Sequence, residues 1–327
     1  MRPALSVVAF TLLSGAGLGA LVLVAFADLA GRAGLGAPIA PAVLARTGAV
    51  ALALTAAGFA SSSLHLANPR NAWRSLARWR TSWLSREALC AIAFVPGAAL
   101  YVAMLFDDAV AAARVPLALA VVALAWLTLY CTSMIYASLK PIRQWHTRHV
   151  PAAYLLLGHA SGGVLFAGTL AAYGDVPPAW TLGAALLLLA AAFVKLDYYA
   201  YLASDAKRLT LEEAIGVPHG VAPAPRRPPP PGSVMRARLL DAGHSRGTFL
   251  THEFGYAVSP RARTLLRAMF WVGGLLVPAL WLAFGVREWA GGVAALAACL
   301  AGLGAERWLF FAEARHTVRL YHGEPTT

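Results

Sequence analysis

The chain has 327 residues, 59% of them hydrophobic and only 13% charged, with a formal net charge of +12. A soluble domain carries about 25% charged residues, which excludes that class. The cations are scattered between long apolar runs, which excludes a nucleic-acid-binding surface.

Apolar runs of about 18 or more residues read as transmembrane helices. In chain order they predict spans at 4–27, 43–66, 85–106, 115–138, 151–173, 179–203, 268–286 and 290–312. The fold class is therefore all-α: a polytopic integral membrane protein of eight transmembrane helices, a number that can form two four-helix bundles. The first apolar run is longer than a signal-peptide core, so it is expected to remain as a helix. Gly15 and Gly19 in the first span, and Gly158 and Gly162 in the fifth, have the GxxxG spacing of close helix packing.

The connections alternate in character. Those after the odd-numbered helices hold only Arg32, Arg114 and Arg287. Nearly all other lysines and arginines lie in the even-numbered connections and at the termini. Setting aside the long connection 204–267 leaves the same asymmetry. The positive-inside rule then places both termini and the basic loops in the cytoplasm. The long connection carries APAPRRPPPPG (Ala222–Gly232), which favours extended polyproline II and reads as a spacer.

Chemistry is to be sought among the few ionisable groups in or beside the spans: Arg46, His65, Glu87, His159, Lys195, Asp197, Glu306 and Arg307. His65 closes the second span, and Glu87 falls in the first turn of the third. Both lie on the same membrane face, where a histidine and a carboxylate can exchange protons with a lipid-soluble quinol. Glu87 could equally serve the helix N-terminus, and His65 a helix C-terminus. Lys195 and Glu306 suit an ion pair or a place on a proton route. Between His65 and Glu87, Arg70, Arg74 and Arg78 recur every four residues with Trp73 and Leu76 interleaved. With Arg80, they suggest a short interfacial amphipathic helix facing lipid phosphate or an acidic partner. Cys90, Cys131 and Cys299 stand singly, with no CxxC. Iron–sulfur ligation, structural zinc and covalent haem are unsupported. His65 and His159 differ in depth, which argues against two haems, while a single b-type haem stays a rival reading. A purely structural anchor is another. A transporter would need repeats and midplane charges that the sequence does not display.

Three stretches carry a resemblance. HLANPRNAWRSLARWRTSWLSREAL (His65–Leu89), THEFGYAVSPRARTLLR (Thr251–Arg267) and ERWLFFAEARHTVRLYHG (Glu306–Gly323) resemble the membrane-anchor subunit of anaerobic dimethyl sulfoxide reductase, the DmsC-type family. The resemblance implies a multi-pass subunit of the bacterial inner membrane, a non-catalytic component of an oxidoreductase complex in anaerobic respiration. It implies two partners, an iron–sulfur electron-transfer subunit and a molybdopterin catalytic subunit, with no cofactor in the anchor itself. It further implies menaquinol as the bound substrate, with His65 and Glu87 as proton acceptors and Asn68, Trp83 and Arg86 as their motif neighbours. The Pro-rich insert around Pro228–Pro231 departs from the family pattern and leaves the terminal acceptor open.

Overall fold

The computed structural model describes residues 3–64, 69–107, 111–174, 176–204, 209–215, 256–285, 289–322 and 327. His65, Asn68 and the Pro-rich stretch lie outside the described residues. Among the described residues, eight helices are long and apolar enough to cross a membrane. They are α1 (Leu5–Arg32), α2 (Pro41–Ser63), α3 (Trp83–Met104), α4 (Ala111–Ala137), α5 (His149–Ala171), α6 (Pro178–Ser204), α7 (Pro260–Phe284) and α8 (Trp289–Ala312).

Several boundaries extend beyond the apolar runs, each for a visible reason. α1 continues past its last apolar turn because Arg32 Nε donates to Asp28 Oδ1 at 3.0 Å, one turn back. α7 begins eight residues early: Ser259 caps it through the Ala262 N–H and Pro260 occupies its first turn. The charged extension is held by Arg263 and Arg267, which pair with Glu313 at 2.6 and 3.3 Å. The predicted loop 204–267 is thus helical at its far end. It also contains one capped turn, Leu211–Ala214. Inside α7, Met269–Leu276 is wound as a π-helix, directly before Pro278.

The helices form two groups of four, α1–α4 and α5–α8, joined through α1 and α5. These two are the most buried spans. One apolar core lies among α1–α4 and the C-terminal half of α5, a second among α5–α8. The two GxxxG segments meet each other at this junction. A Cβ on Gly19 would overlap the Gly158 carbonyl, and one on Gly162 would overlap the Gly19–Ala20 backbone. Neither helix can yield without backbone movement. A Cβ on Gly15 would instead sit 3.7 Å from Gly158 Cα, an ordinary contact. Gly162→Leu should therefore destabilise the bundle by about 1–3 kcal/mol or more, while Gly15→Ala should be tolerated. Gel filtration of detergent extracts after a temperature series measures both.

Candidate functional site

Since successive spans alternate in direction, the start of α3, the end of α4, the start of α5 and the ends of α6 and α8 all reach the basic-loop face. The candidate site assembles there. Ser82 caps α3 through the Ser85 N–H, so Glu87 lies one turn inside the helix. The expectation that it sits in the first turn is corrected, and with it the capping role: Ser82 has taken that place. Glu87 is 5% exposed, and the Thr132 hydroxyl on α4 lies 2.6 Å from its Oε1. Among the described residues no cation pairs with it within 4 Å.

Thr132 stands between two acceptors. Its hydroxyl is 2.6 Å from Glu87 and 2.9 Å from the Thr128 carbonyl one turn earlier, yet it has one proton to give. When Glu87 is ionised, the hydroxyl donates to it. When Glu87 is protonated, the acid donates to Thr132, and Thr132 donates to Thr128. The contact survives in both states, which suits a carboxylate that loads and unloads a proton. Thr132 has no distinctive sequence signal, because threonines within helices ordinarily bond four residues back.

Other motif residues have separate tasks. Arg86 Nε donates to the Trp79 carbonyl at 2.8 Å, and its Nη2 to the Arg80 carbonyl at 2.7 Å. It thereby fastens the loop onto α3. Its guanidinium also covers the Trp83 ring at 4.2 Å, and Tyr130 meets that ring edge-on. Arg70, Arg74, Arg78 and Arg80 are all exposed. The expected short helix is present, but its winding differs from that of an α-helix. Pro69–Arg78 is wound as a 3₁₀ helix, where a four-residue step turns through about 120°. Arg70, Arg74 and Arg78 therefore point three ways and form no stripe. Arg74 and Arg80 lie over Trp73 and Trp79.

A second constellation lies deeper. Lys195 Nζ on α6 donates to Glu306 Oε1 on α8 at 2.6 Å, and Arg307 Nε donates to Glu306 Oε2 at 2.5 Å. All three are buried. Tyr154 packs under the Arg307 guanidinium at 4.3 Å, and the Lys195 ammonium lies over Tyr198 at 4.3 Å. The Tyr136 ring, one turn beyond Thr132, stacks on Tyr154 with centroids 5.8 Å apart. Trp145, Phe310 and Phe311 close around Tyr136. At the surface end His149 Nε2 lies 2.9 Å from Asp197 Oδ2, and its Nδ1 lies 2.6 Å from the Thr147 hydroxyl. His149 was invisible as a partner because it falls just outside the apolar run.

His159 bears on the haem rival. Its Nδ1 lies 2.7 Å from the Leu155 carbonyl, and its Nε2 accepts from Trp126 Nε1 at 3.0 Å. That makes Nδ1 the protonated nitrogen and occupies both.

The model of the DMSO reductase anchor subunit (DmsC) family matches residues 1–224. The chain belongs to this family. Over 340 aligned positions it is 35% identical to a sulfite dehydrogenase subunit of Allochromatium vinosum, covering 98% of this chain and 99% of that protein. No solved structure matches. The DmsC-family chain is thus an anchor subunit of a molybdopterin oxidoreductase, associated with catalytic and electron-transfer subunits.

Proposed function

We propose that this DmsC-family anchor exchanges electrons and protons between a membrane quinone and an iron–sulfur partner, with Glu87 as the proton-handling group. A molybdopterin catalytic subunit completes the complex, and the anchor holds no cofactor of its own. The observation that carries the reading is the buried Glu87–Thr132 contact at the basic-loop face, with no cation paired to Glu87 among the described residues, within the family's motif. His65 and Asn68 flank it in sequence and complete the site in this reading.

The alignment along nearly the whole chain with a sulfite dehydrogenase subunit favours sulfite as the substrate. Sulfite then takes up the oxygen of water and becomes sulfate, releasing two electrons and two protons. Two electrons pass to the quinone, which takes up two protons to become quinol. Menaquinone is the quinone of the family reading. The family description, a DMSO reductase anchor subunit, favours the opposite direction, reduction of dimethyl sulfoxide, with menaquinol as the donor that the motif resemblance implies. We assign the protein to the bacterial cytoplasmic membrane with both termini and the partner subunits on the cytoplasmic side, following the loop charges.

The purified complex distinguishes the directions. Sulfite-dependent reduction of a menaquinone analogue should be observed, with little dimethyl sulfoxide-dependent oxidation of the quinol. The reverse pattern would make the complex a reductase.

A further inference from the structure

The buried cluster of Lys195, Glu306 and Arg307 has an odd charge. Two cations share one carboxylate, which leaves one positive charge in excess within the membrane domain. Burying an unbalanced charge is costly, and a structural ion pair would need only one of the two cations. Arginine keeps its proton in proteins, so Arg307 alone neutralises Glu306. Lys195 carries the excess charge, and its proton is the one that can leave.

The surroundings of Lys195 give that proton an entrance and an exit. A cavity of about 10 Å³ is lined by His149, Tyr154, Lys195 and Arg307. A second, of about 20 Å³, lies on the other side of Tyr154 against Gly158, Ser161 and Arg307. Each has roughly the 10–15 Å³ that a water molecule needs. The entrance is the His149–Asp197 pair, whose Asp197 side chain is 53% exposed. The exit is Tyr154. Its hydroxyl is buried, within reach of the Arg307 guanidinium and of the Tyr136 hydroxyl. Its ring stacks on Tyr136, one turn along α4 from the threonine that holds Glu87. A buried hydroxyl that borders two water-sized cavities and reaches Tyr136 can pass a proton along a hydrogen-bonded chain.

We infer that Lys195 is a proton relay for the quinone site, loaded from the surface through His149 and Asp197 and discharged through Tyr154 toward Glu87. The inference rests on the quinone reading proposed above. In the direction of quinone reduction, the iron–sulfur partner supplies two electrons. Glu87 gives its proton to the reduced quinone oxygen and is reloaded from Lys195 by way of Tyr154. The ammonium becomes an amine, and the cluster passes from one net positive charge to none. A proton entering past His149 restores it. Two such cycles balance one quinone, and quinol oxidation would run the same steps backwards. The titratable and charged groups facing Lys195 are Tyr198 and Tyr199 of its own helix, His149 and Tyr154 of α5, and Glu306, Arg307 and Glu313 of α8. Arg267 of α7 faces it across the Tyr199 ring.

Two variants test this in the assembled complex. Tyr154→Phe removes only the hydroxyl, and Lys195→Arg keeps the positive charge but cannot release its proton. Each is measured for quinone reduction across pH 6–9, for binding of a fluorescent quinol analogue, and for turnover with a water-soluble acceptor that bypasses the membrane. The expected result is quinone reduction slowed by roughly 10-fold or more in both variants, with an altered pH profile and unchanged quinol-analogue binding. Wild-type rates and pH profile in both would overturn the relay and leave Lys195 as a charge-balancing residue, with the quinone site intact. Absence of analogue binding in the wild-type complex would instead remove the quinone site, and the relay with it.

Discussion

The Glu306→Gln variant is expected to lose most of its assembled complex from the membrane. Glu306 is the single anion between Lys195 and Arg307, at 2.6 and 2.5 Å, and all three side chains are almost wholly buried. A neutral amide would leave two like charges facing each other away from water. Removing one partner of a buried ion pair typically costs about 3–5 kcal/mol. That is a large part of the roughly 5–15 kcal/mol that holds an ordinary domain together. Lys195→Met should behave quite differently. It leaves the adjacent Glu306–Arg307 pair neutral, and methionine fits a space already lined by Tyr198, Leu309 and Phe310. The asymmetry between the two ends of one ion pair is the signature of a cluster with a surplus cation. Quantifying intact complex by native electrophoresis, before and after mild heating, reads it directly. Equal losses in both variants would mean that Lys195 and Arg307 balance Glu306 jointly.

The second large effect concerns Glu87. Glu87→Gln preserves size and keeps a group able to bond Thr132, so the helices should still pack. What it removes is the ability to take up and release a proton. A positioned acid–base group contributes about 10²–10⁴-fold to a rate, and quinone-linked turnover should fall by that order. Turnover with a water-soluble acceptor reports only the partner subunits and should remain. Thr132→Val provides the milder companion: it removes the hydroxyl but not the carboxylate, and should slow quinone turnover by far less than Glu87→Gln.

Much of this architecture could be read from the sequence, for reasons particular residues make clear. The eight spans follow from hydropathy, because lipid permits few alternatives to a helix. The paired GxxxG segments announced close packing, though only the folded chain places Gly19 and Gly162 against each other across α1 and α5. Glu87 stood out because an acid at the hydrocarbon boundary is rare. Its partner Thr132 did not, since helical threonines have a default bond to their own backbone. The arginine periodicity misled for a geometric reason. Four-residue spacing makes a stripe only on an α-helix, and Pro69–Arg78 winds more tightly. The π-wound segment of α7 and the charge surplus around Lys195 depend on how helices distant in sequence meet, which no local pattern encodes.

Whether Glu87 belongs to a quinone site is tested most directly by titrating the purified complex with a fluorescent quinol analogue, comparing wild type with Glu87→Gln. One saturable site per complex is expected in the wild type, clearly weakened in the variant while the complex stays assembled. Equal binding in both would contradict this role, and would move the quinone site away from Glu87.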